Sequence, residues 1–382
     1  MQEQEIKDLF KKYLSGNCTD EERVLLESWY LKYEAHDLPE LSDSQFAEIE
    51  RSFVNIPKKI DYRVWARWVA AAAVLFVLSF GFYFYQSYNS QSIRTVLIGK
   101  DIPAGGNKAF LTLADGSKVE LSDKQTGIVM RKDKVMYNDS TVINNQAVLP
   151  SGTAPLTLTT PRKGQYQIEL PDGTKVWLNA ASSISYSTVI INNLVHRKVN
   201  LVGEAYFEVE KSYESKLVKG KAITMRKPFI VVSNGQEAEV LGTHFNINAY
   251  TDEGNVKTTL LEGSLRVKAN APNSVILKPN QQSISAANSN ALEVKTVNTS
   301  EVLSWKNGEF SFDNQTLESI MRQVSRWYDV EVSYKDESLK KEIFGGSISR
   351  FSDVSKVLTM LELTQHVHFI VNEKERRITV MK

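Results

Sequence analysis

The feature that most constrains this chain is an uncharged stretch from Trp68 to Tyr85, in an otherwise polar sequence. A helix of that length spans roughly 27 Å, close to the hydrocarbon thickness of a bilayer. Trp65 and Tyr83 also stand near its two ends, as aromatic residues do at membrane interfaces. We therefore predict one transmembrane helix over 66–88. A buried core helix is the alternative, although a run without a polar face is rare in soluble domains.

The charges that flank this segment predict its orientation. Lys58, Lys59, Arg63 and Arg67 precede it, whereas Arg94 is the first cation after it. The excess of cations before the helix places the N-terminus in the cytoplasm and everything beyond about residue 90 outside. The segment 1–20 lacks a continuous apolar core and does not read as a cleavable signal peptide. The expected location is therefore the inner membrane, in a single pass.

The composition excludes several classes of protein. The chain has 382 residues, 46 Lys+Arg and 45 Asp+Glu, so its formal net charge of +1 offers no general attraction to nucleic acid. Cys18 is the only cysteine, which excludes an intrachain disulfide framework and zinc sites built on several cysteines. We predict no cofactor and no metal.

Residues 1–60 predict a small α-helical module on the cytoplasmic side. Thr19 and Glu22 stand at the spacing of a capping box that opens the second of three short helices. The module has 8 Lys+Arg and 13 Asp+Glu, a balance that suits a basic protein partner and would repel DNA. The candidate partner contacts are its apolar side chains: Leu25, Trp29, Tyr30, Phe46 and Ile49. The alternative is that these side chains form only the core of a small bundle.

Residues 95–295 predict an all-β domain without a long helix. Short runs rich in Val, Ile, Thr and Tyr alternate with polar residues and are separated by Asp-Gly and Asn-Gly pairs. The segment 111–121 resembles the segment 168–178, each with a strand, an expected two-residue Asp-Gly turn and a returning strand. The repetition of this unit favours stacked hairpins in a sandwich or jelly-roll.

Five segments of this region occur in an order that resembles a known family. They are Thr160-Pro-Arg-Lys-Gly-Gln165, Leu170-Pro-Asp-Gly-Thr-Lys-Val-Trp-Leu-Asn-Ala180, Leu201-Val-Gly-Glu-Ala-Tyr-Phe-Glu-Val209, Pro228-Phe-Ile-Val-Val232 and Val240-Leu-Gly-Thr-His-Phe-Asn-Ile247. Together they resemble the FecR domain of membrane-bound anti-sigma factors. The acidic helices, the single span and the C-terminal part, which resembles the domain that follows FecR in Bacteroidetes-type members, fit the same family.

The resemblance implies a function in transmembrane signalling. Such proteins hold an extracytoplasmic-function sigma factor through their cytoplasmic helices. A TonB-dependent outer-membrane receptor signals to their periplasmic region, and the sigma factor is then released or converted to an active state. Because one transmembrane helix cannot easily transmit a subtle shape change, we also expect cleavage by site-specific proteases within or beside the span. Some members are also cut between a Gly and a Thr by an N→O acyl shift, which here would be Gly242 and Thr243. The alternative for this pair is a bulge glycine beside a strand threonine.

We expect structural roles for several glycine, aromatic and glutamate residues of the β region. The glycines expected at turns and bulges are Gly173, Gly203, Gly235, Gly242 and Gly263. The aromatic residues expected between the sheets are Tyr206, Phe207, Phe229 and Phe245. Glu204, Glu208 and Glu210 share one strand face by period two. A solvated face is the expectation, and the paired carboxylates of a glycosidase are the alternative.

Residues 301–382 predict a two-layer α+β domain with the order β-α-β-β-α-β-β. The second helix of this domain is expected to be capped by Ser352 or Asp353. The order resembles the short N-terminal domains of secretins and TonB-dependent receptors. His366 and His368 stand two residues apart and could ligate a metal, but no third ligand is evident and an incidental pair is expected.

The combined prediction is a multi-domain, single-pass anti-sigma regulator rather than an enzyme. It would bind a sigma factor inside the cell and the signalling domain of a TonB-dependent receptor outside, without binding nucleic acid directly. The alternative is a membrane-tethered periplasmic carbohydrate-binding or hydrolytic protein. A structured acidic module inside the cell, over 1–60, favours the regulator.

Overall fold

The described residues of the computed structural model are 101–113, 115–131, 134–143, 156–191, 194–218, 221–269, 273–286 and 291–382, together with Lys12, Thr19 and Glu22. The chain divides into two compact units, Met1–Ser92 and Ile93–Lys382. The predicted transmembrane segment 66–88 lies outside the described residues, and no helix within them is long and apolar enough to cross a bilayer.

In the first unit, the predicted capping box is confirmed. The backbone N–H of Glu22 donates to Thr19 Oγ1 at 3.3 Å, and the N–H of Thr19 donates to Glu22 Oε2 at 3.1 Å. These reciprocal bonds satisfy two donors that the start of a helix leaves free. Lys12 Nζ also donates to Glu22 Oε1 at 2.6 Å, and these bonds together lower the pKa of Glu22.

The second unit begins with twenty β-strands. Their bounds are β1 Gly106–Asn107, β2 Phe110–Thr112, β3 Lys118–Glu120, β4 Gly127–Met130, β5 Val135–Tyr137, β6 Leu156–Thr160, β7 Gly164–Glu169, β8 Lys175–Leu178, β9 Ser182–Ile191, β10 Leu194–Glu208, β11 Tyr213–Val218, β12 Lys221–Arg226, β13 Phe229–Ser233, β14 Gln236–Val240, β15 His244–Ala249, β16 Asn255–Glu262, β17 Leu265–Lys268, β18 Ser274–Leu277, β19 Gln281–Ala286 and β20 Leu292–Thr296. One 3-10 turn, Thr251–Glu253, interrupts them, so the predicted all-β character is confirmed for the described residues.

These strands form a sandwich of two sheets that share β10. Sheet I has the order β3-β2-β6-β9-β10-β13-β14-β17-β18. Sheet II has the order β5-β4-β7-β8-β10-β15-β16-β19-β20. Most neighbours are antiparallel; β10–β13 and β4–β7 are parallel, as is the short pairing of β1 with β7. The two similar hairpins lie in different sheets, β2–β3 at the edge of sheet I and β7–β8 in sheet II. The hairpin β11–β12 forms a two-stranded sheet of its own.

The shared strand β10 changes sheets at Gly203. Its residues up to Val202 pair with β9 in sheet I, and its residues from Gly203 onward pair with β15 in sheet II. Gly203 has φ of +84°, and a Cβ there would lie 2.4 Å from Ser182 Oγ. Only glycine fits this bend, so the glycine has a structural role here, as predicted.

The turn chemistry differs from the prediction in one respect. Both Asp-Gly hairpins have three-residue loops, closed by Leu113–Ser117 and Leu170–Thr174, and in each pair only the glycine has a positive φ. The expected two-residue Asp-Gly turn is therefore wrong. In each loop the aspartate carboxylate instead accepts the N–H two residues later, which keeps the aspartate at negative φ. The pair Asn234-Gly235 does form a two-residue turn with both φ values positive.

The space between the two sheets is an apolar core. Phe207, Phe229 and Phe245 are fully buried there; the rings of Phe207 and Phe245 are stacked with centroids 4.9 Å apart. Tyr206 was expected in the same core, and this expectation is wrong. It alternates with Phe207 along β10 and therefore lies on the outer face of sheet II, beside Trp177 at 5.5 Å between ring centroids.

The chain continues through a short helix into an α+β region. The bounds are α1 Thr299–Val302, β21 Glu309–Thr316, α2 Leu317–Tyr328, β22 Glu331–Tyr334, a 3-10 turn Glu337–Lys341, β23 Ile343–Ser349, α3 Val354–Glu362, β24 His368–Asn372 and β25 Arg377–Met381. This is the predicted order of strands and helices. Strands β21 and β23 pair with each other, and β25 lies between β22 and β24.

The helices of this C-terminal domain cover a second apolar core around Trp327 and Tyr328. Thr316 caps α2 by accepting the N–H of Ser319. Asp353 occupies the N-cap position of α3, but its side chain makes no capping bond. Asp101 supplies the bond instead by accepting the N–H of Ser355 at 3.3 Å, so the cap of this helix comes from a distant part of the chain.

Candidate interdomain site

The outer face of sheet II is covered by the C-terminal domain, and a buried carboxylate stands at the centre of this contact. Glu204 lies on β10 and is 8% exposed. Its Oε2 accepts Asn179 Nδ2 at 2.8 Å, and its Oε1 accepts Asn246 Nδ2 at 3.0 Å. The expectation that Glu204 lies on a solvated strand face is therefore wrong, because a second domain covers that face.

Each of these asparagines also binds the C-terminal part of the chain. Asn179 Oδ1 accepts Arg350 Nη2 at 2.9 Å, and Asn246 Oδ1 accepts Trp305 Nε1 at 3.3 Å. Arg350 Nη1 donates to the carbonyl oxygen of Trp305 at 2.6 Å, which closes the circuit. We call these five residues, Glu204, Asn179, Arg350, Trp305 and Asn246, the Glu204 ring.

Burial sets the electrostatics of the ring. It raises the pKa of Glu204, since a carboxylate loses its hydration there, and the two asparagine donors oppose only part of that effect. Burial also lowers the pKa of Arg350 to about 10. The guanidinium lies 3.7 Å from the ring centroid of Trp327, a cation–π contact, and Trp327 Nε1 donates to the Arg350 carbonyl oxygen.

A second polar cluster lies beside the ring and centres on Arg326 of α2. Its Nη2 donates to Glu253 Oε1 at 2.6 Å, and its Nη1 contacts both carboxylate oxygens of Asp252. The guanidinium also lies 3.9 Å from the ring centroid of Tyr250. Burial would raise the pKa of Glu253, but Arg326 and Lys257 outweigh burial and hold that pKa below its usual value.

A third contact holds the C-terminal end of α2. Arg162 Nη2 donates to the carbonyl oxygens of Ser325 at 2.9 Å and Val330 at 3.0 Å, and Arg162 Nε lies 3.3 Å from Asp329 Oδ1. The N–H of Lys163 donates to the carbonyl oxygen of Arg326 at 2.8 Å. A cation at the end of a helix also interacts favourably with the helix dipole.

These contacts explain what the recognised segments have in common. Four of the five place a side chain in the interdomain contact: Arg162, Asn179, Glu204 and Asn246. The fifth, 228–232, lies in β13 and contributes to the inter-sheet core. The segments therefore encode the docking of the second domain as well as the sandwich itself.

Two family profiles match this part of the chain. The one described as "FecR protein" matches residues 156–266, and the one described as "FecR, C-terminal" matches residues 309–380. The chain therefore contains a region similar to the FecR domain, followed by one similar to the FecR C-terminal domain. The FecR domain corresponds to the centre of the sandwich, and the FecR C-terminal domain corresponds to the α+β region that docks onto sheet II.

Solved structures share this fold. A candidate anti-sigma factor from Parabacteroides distasonis ATCC 8503 is similar in two crystal structures, at 24% and 25% identity, each with a TM-score of 0.50. Both alignments cover 59% of this chain and 98% of the other. No curated protein matches the chain.

The predicted partner contacts of the cytoplasmic module cannot be placed on this framework. Leu25, Trp29, Tyr30, Phe46 and Ile49 all lie outside the described residues. They remain predictions from the sequence.

The Gly242-Thr243 pair directly precedes β15 and lines a cleft of about 430 Å³. Gly242 has φ of +142°, and a Cβ there would lie 2.5 Å from Lys211 Cγ. Thr243 is buried and its Oγ1 donates to the Ser264 carbonyl oxygen at 3.1 Å. The register of β15 and β16 shifts between His244 and Phe245, where Leu261 of β16 has no partner on β15. Gly242 and Thr243 precede β15, so the irregularity does not lie at the predicted bulge glycine.

The remaining candidate catalytic and metal-binding residues do not come together in one site. Glu208 lies 3.9 Å from Lys306, and Glu210 is exposed beyond the end of β10. His366 faces Glu342, whereas His368 faces Glu362. No cluster of three or more metal-ligating side chains occurs among the described residues.

Sequence reasoning missed Arg350, Arg326 and Trp305 as site residues. Each arginine stands between a serine and an aromatic residue, Arg350 before Phe351 and Arg326 before Trp327, so the sequence does not mark either side chain as buried. A buried charged side chain is normally paired, and only the structure shows the burial together with the partners. Which partner it was depends on the docking of two domains, which no local pattern specifies.

Proposed function

We propose that this protein is a FecR-family anti-sigma regulator of the inner membrane. Its cytoplasmic helices would hold an extracytoplasmic-function sigma factor, and its extracytoplasmic part would receive a signal from a TonB-dependent receptor. The observation that carries the proposal is the pair of FecR domains docked through the Glu204 ring, in a fold shared with a candidate anti-sigma factor. Because the two domains are docked, a receptor that binds either of them would act on both.

The cytoplasmic end of the proposal is tested by co-purification. The full chain, extracted in detergent from its own host, should bring down a sigma factor, and Trp29→Ala combined with Phe46→Ala should abolish this. Trp177→Ala makes the same kind of truncation in the sandwich and should leave the sigma factor bound. A chain that captures no sigma factor in any form contradicts the proposal and favours the tethered binding protein.

The sidedness is tested separately by reporter fusions. A periplasm-active reporter joined after Asn89 should be active, and the same reporter joined before Lys58 should be inactive. The reverse pattern would place the FecR domains on the cytoplasmic side and exclude the receptor as their partner.

The receptor end is proposed to use a free sheet edge. Among the described residues, β24 pairs only with β25, so its other side offers backbone groups to an added strand. Ile370 in β24 is 48% exposed. Ile370→Asp should weaken induction by the receptor, whereas Ile190→Asp, at a 75% exposed position on the sandwich, should not. Equal induction in both variants would exclude this edge.

The Gly242-Thr243 bond is proposed as a point of self-cleavage. Thr243 Oγ1 would attack the Gly242 carbonyl carbon, the C–N bond would break, and the hydroxyl proton would pass to the released amine. Water would then open the ester. Two fragments that join at Thr243 should appear for the parent and for Thr243→Ser, and only the intact chain for Thr243→Ala. A single intact species in all three proteins removes the step.

A further inference from the structure

A cavity of about 380 Å³ lies between the outer face of sheet II and the C-terminal domain. Its walls come from the sandwich, from the segment around α1 and from β21 and α2. This volume would hold roughly a dozen water molecules. It also lies within the range of small-molecule sites, which occur preferentially between domains.

The charge of the lining favours a neutral occupant. Four basic and four acidic side chains line the cavity, so it has no net charge. Three of these side chains form ion pairs within the protein, Glu253 with Arg326 and Lys257, and Glu301 accepts a hydrogen bond from Gln315 Nε2 at 3.1 Å. Because the lining as a whole has no net charge, an anionic or a cationic ligand would gain no net attraction to compensate its desolvation.

The remaining lining is rich in groups that donate and accept hydrogen bonds. Eight Asn or Gln amides and four Ser or Thr hydroxyls contribute, and three aromatic side chains, Trp305, Phe310 and Trp327, also line the cavity. Gln323 Nε2 donates to Gln315 Oε1 at 2.9 Å, so part of this wall is already ordered. Amides and carboxylates beside aromatic rings match a molecule that has both hydroxyl groups and apolar C–H faces.

The Glu204 ring supplies unused hydrogen-bonding capacity in the same wall. Each oxygen of Glu204 accepts one amide N–H, whereas a carboxylate has about four acceptor sites. Arg350 Nε is buried and has no partner among the described residues. A ligand hydroxyl in the cavity could donate to a free acceptor site of Glu204, which lines it.

We propose that this cavity binds a neutral polyhydroxylated molecule of one or two sugar rings. The ligand touches both domains, and its binding therefore stabilises their docked arrangement. This inference goes beyond the anti-sigma function and does not depend on it, because it concerns binding to the purified chain alone.

The test is binding of neutral monosaccharides and disaccharides to the full chain in detergent. Glucose, N-acetylglucosamine, maltose and cellobiose are the probes, and glucuronate and glucosamine are the charged counterparts. We expect at least one neutral sugar to raise the unfolding temperature with concentration, and calorimetry to give a submillimolar Kd. If all neutral probes fail at concentrations of about 10 mM, the cavity holds water alone and the proposal is wrong. Tighter binding of the charged sugars would contradict the argument from charge.

A cavity-filling variant localises the binding. Ser319 lines the cavity from α2, and its side chain makes no hydrogen bond recorded among the described residues. Ser319→Phe should weaken binding about tenfold or more. Ser338→Phe is the matched control, since Ser338 is exposed on the 3-10 turn outside the cavity. Equal binding by the two variants would place the sugar elsewhere, and sigma-factor capture by both would show that the proposed function stands independently.

Discussion

The space between the two sheets and the space between the sandwich and the C-terminal domain are filled by opposite chemistry. The first contains stacked and edge-packed phenylalanines and aliphatic side chains. The second contains the buried carboxylate of Glu204 with its amide partners, and two buried arginines, of which Arg350 binds an amide and Arg326 binds carboxylates. Apolar contacts are non-directional and give stability, whereas polar contacts hold only one geometry and fail when that geometry changes. We therefore expect the interdomain contact to separate before the sandwich unfolds.

The largest effect is expected in the inter-sheet core. Phe207→Ala removes a fully buried ring that packs against Phe229 and Phe245. It should lower the free energy of unfolding by about 3–5 kcal/mol, in a single transition that includes the sandwich. Denaturant unfolding followed by circular dichroism measures this. A loss below about 1 kcal/mol would mean that the core is not as closely packed as described.

Substitution of Arg350 should change how the protein unfolds, whereas Phe207→Ala should mainly change how stable it is. Arg350→Met keeps the side-chain length but removes the bonds to Asn179 and the Trp305 carbonyl oxygen. We expect a loss of about 2–4 kcal/mol, and separate transitions for the sandwich and the C-terminal domain. Limited proteolysis should then cut near the segment 297–308 first. A single cooperative transition in this variant would contradict the view that the ring holds the domains together.

The pH dependence distinguishes the two carboxylates of the interface. The pKa of Glu204 is raised by burial, so the folded state holds this proton more tightly and docking should strengthen as the pH falls from neutral towards the usual carboxyl range. Glu253 has a lowered pKa, so its contribution is lost only below about pH 4.5. Glu204→Gln should flatten the profile on the neutral side of the usual carboxyl range. An unchanged profile would show that another group titrates there.

The smallest effect is expected at the end of α2. Arg162→Ala removes donors to the carbonyl oxygens of Ser325 and Val330, but Arg376 also donates to carbonyl oxygens at this helix end. The Arg162 side chain is 43% exposed, and Arg376 still binds the same helix end in the variant. We therefore expect the free energy of unfolding to fall by about 1 kcal/mol or less. Thermal unfolding of Arg162→Ala against Arg162→Lys separates the hydrogen bonds from the charge.

The sequence predicts the local structure well because local chemistry determines it. The capping box at Thr19, the Asn234-Gly235 turn and the apolar face of α2 each depend on residues that are close in the chain. Tyr206 and Glu204 were misplaced for different reasons. Tyr206 directly precedes Phe207, so period two alone places these two side chains on opposite faces of β10. For Glu204, period two gives the face of the strand but does not show that a second domain covers that face. The Glu204 ring joins residues that are up to 171 positions apart, as between Asn179 and Arg350, and only the tertiary fold brings them together.

The first described residues of the second unit have a consequence for how this body responds to tension. Asp101 caps α3, and the Ile102 carbonyl oxygen accepts the N–H of Val354 at 3.1 Å, before the chain has entered either sheet. A pull on the polypeptide upstream of these residues would load the C-terminal domain first and the sandwich afterwards. The last domain in the sequence is thus the first in the mechanical path.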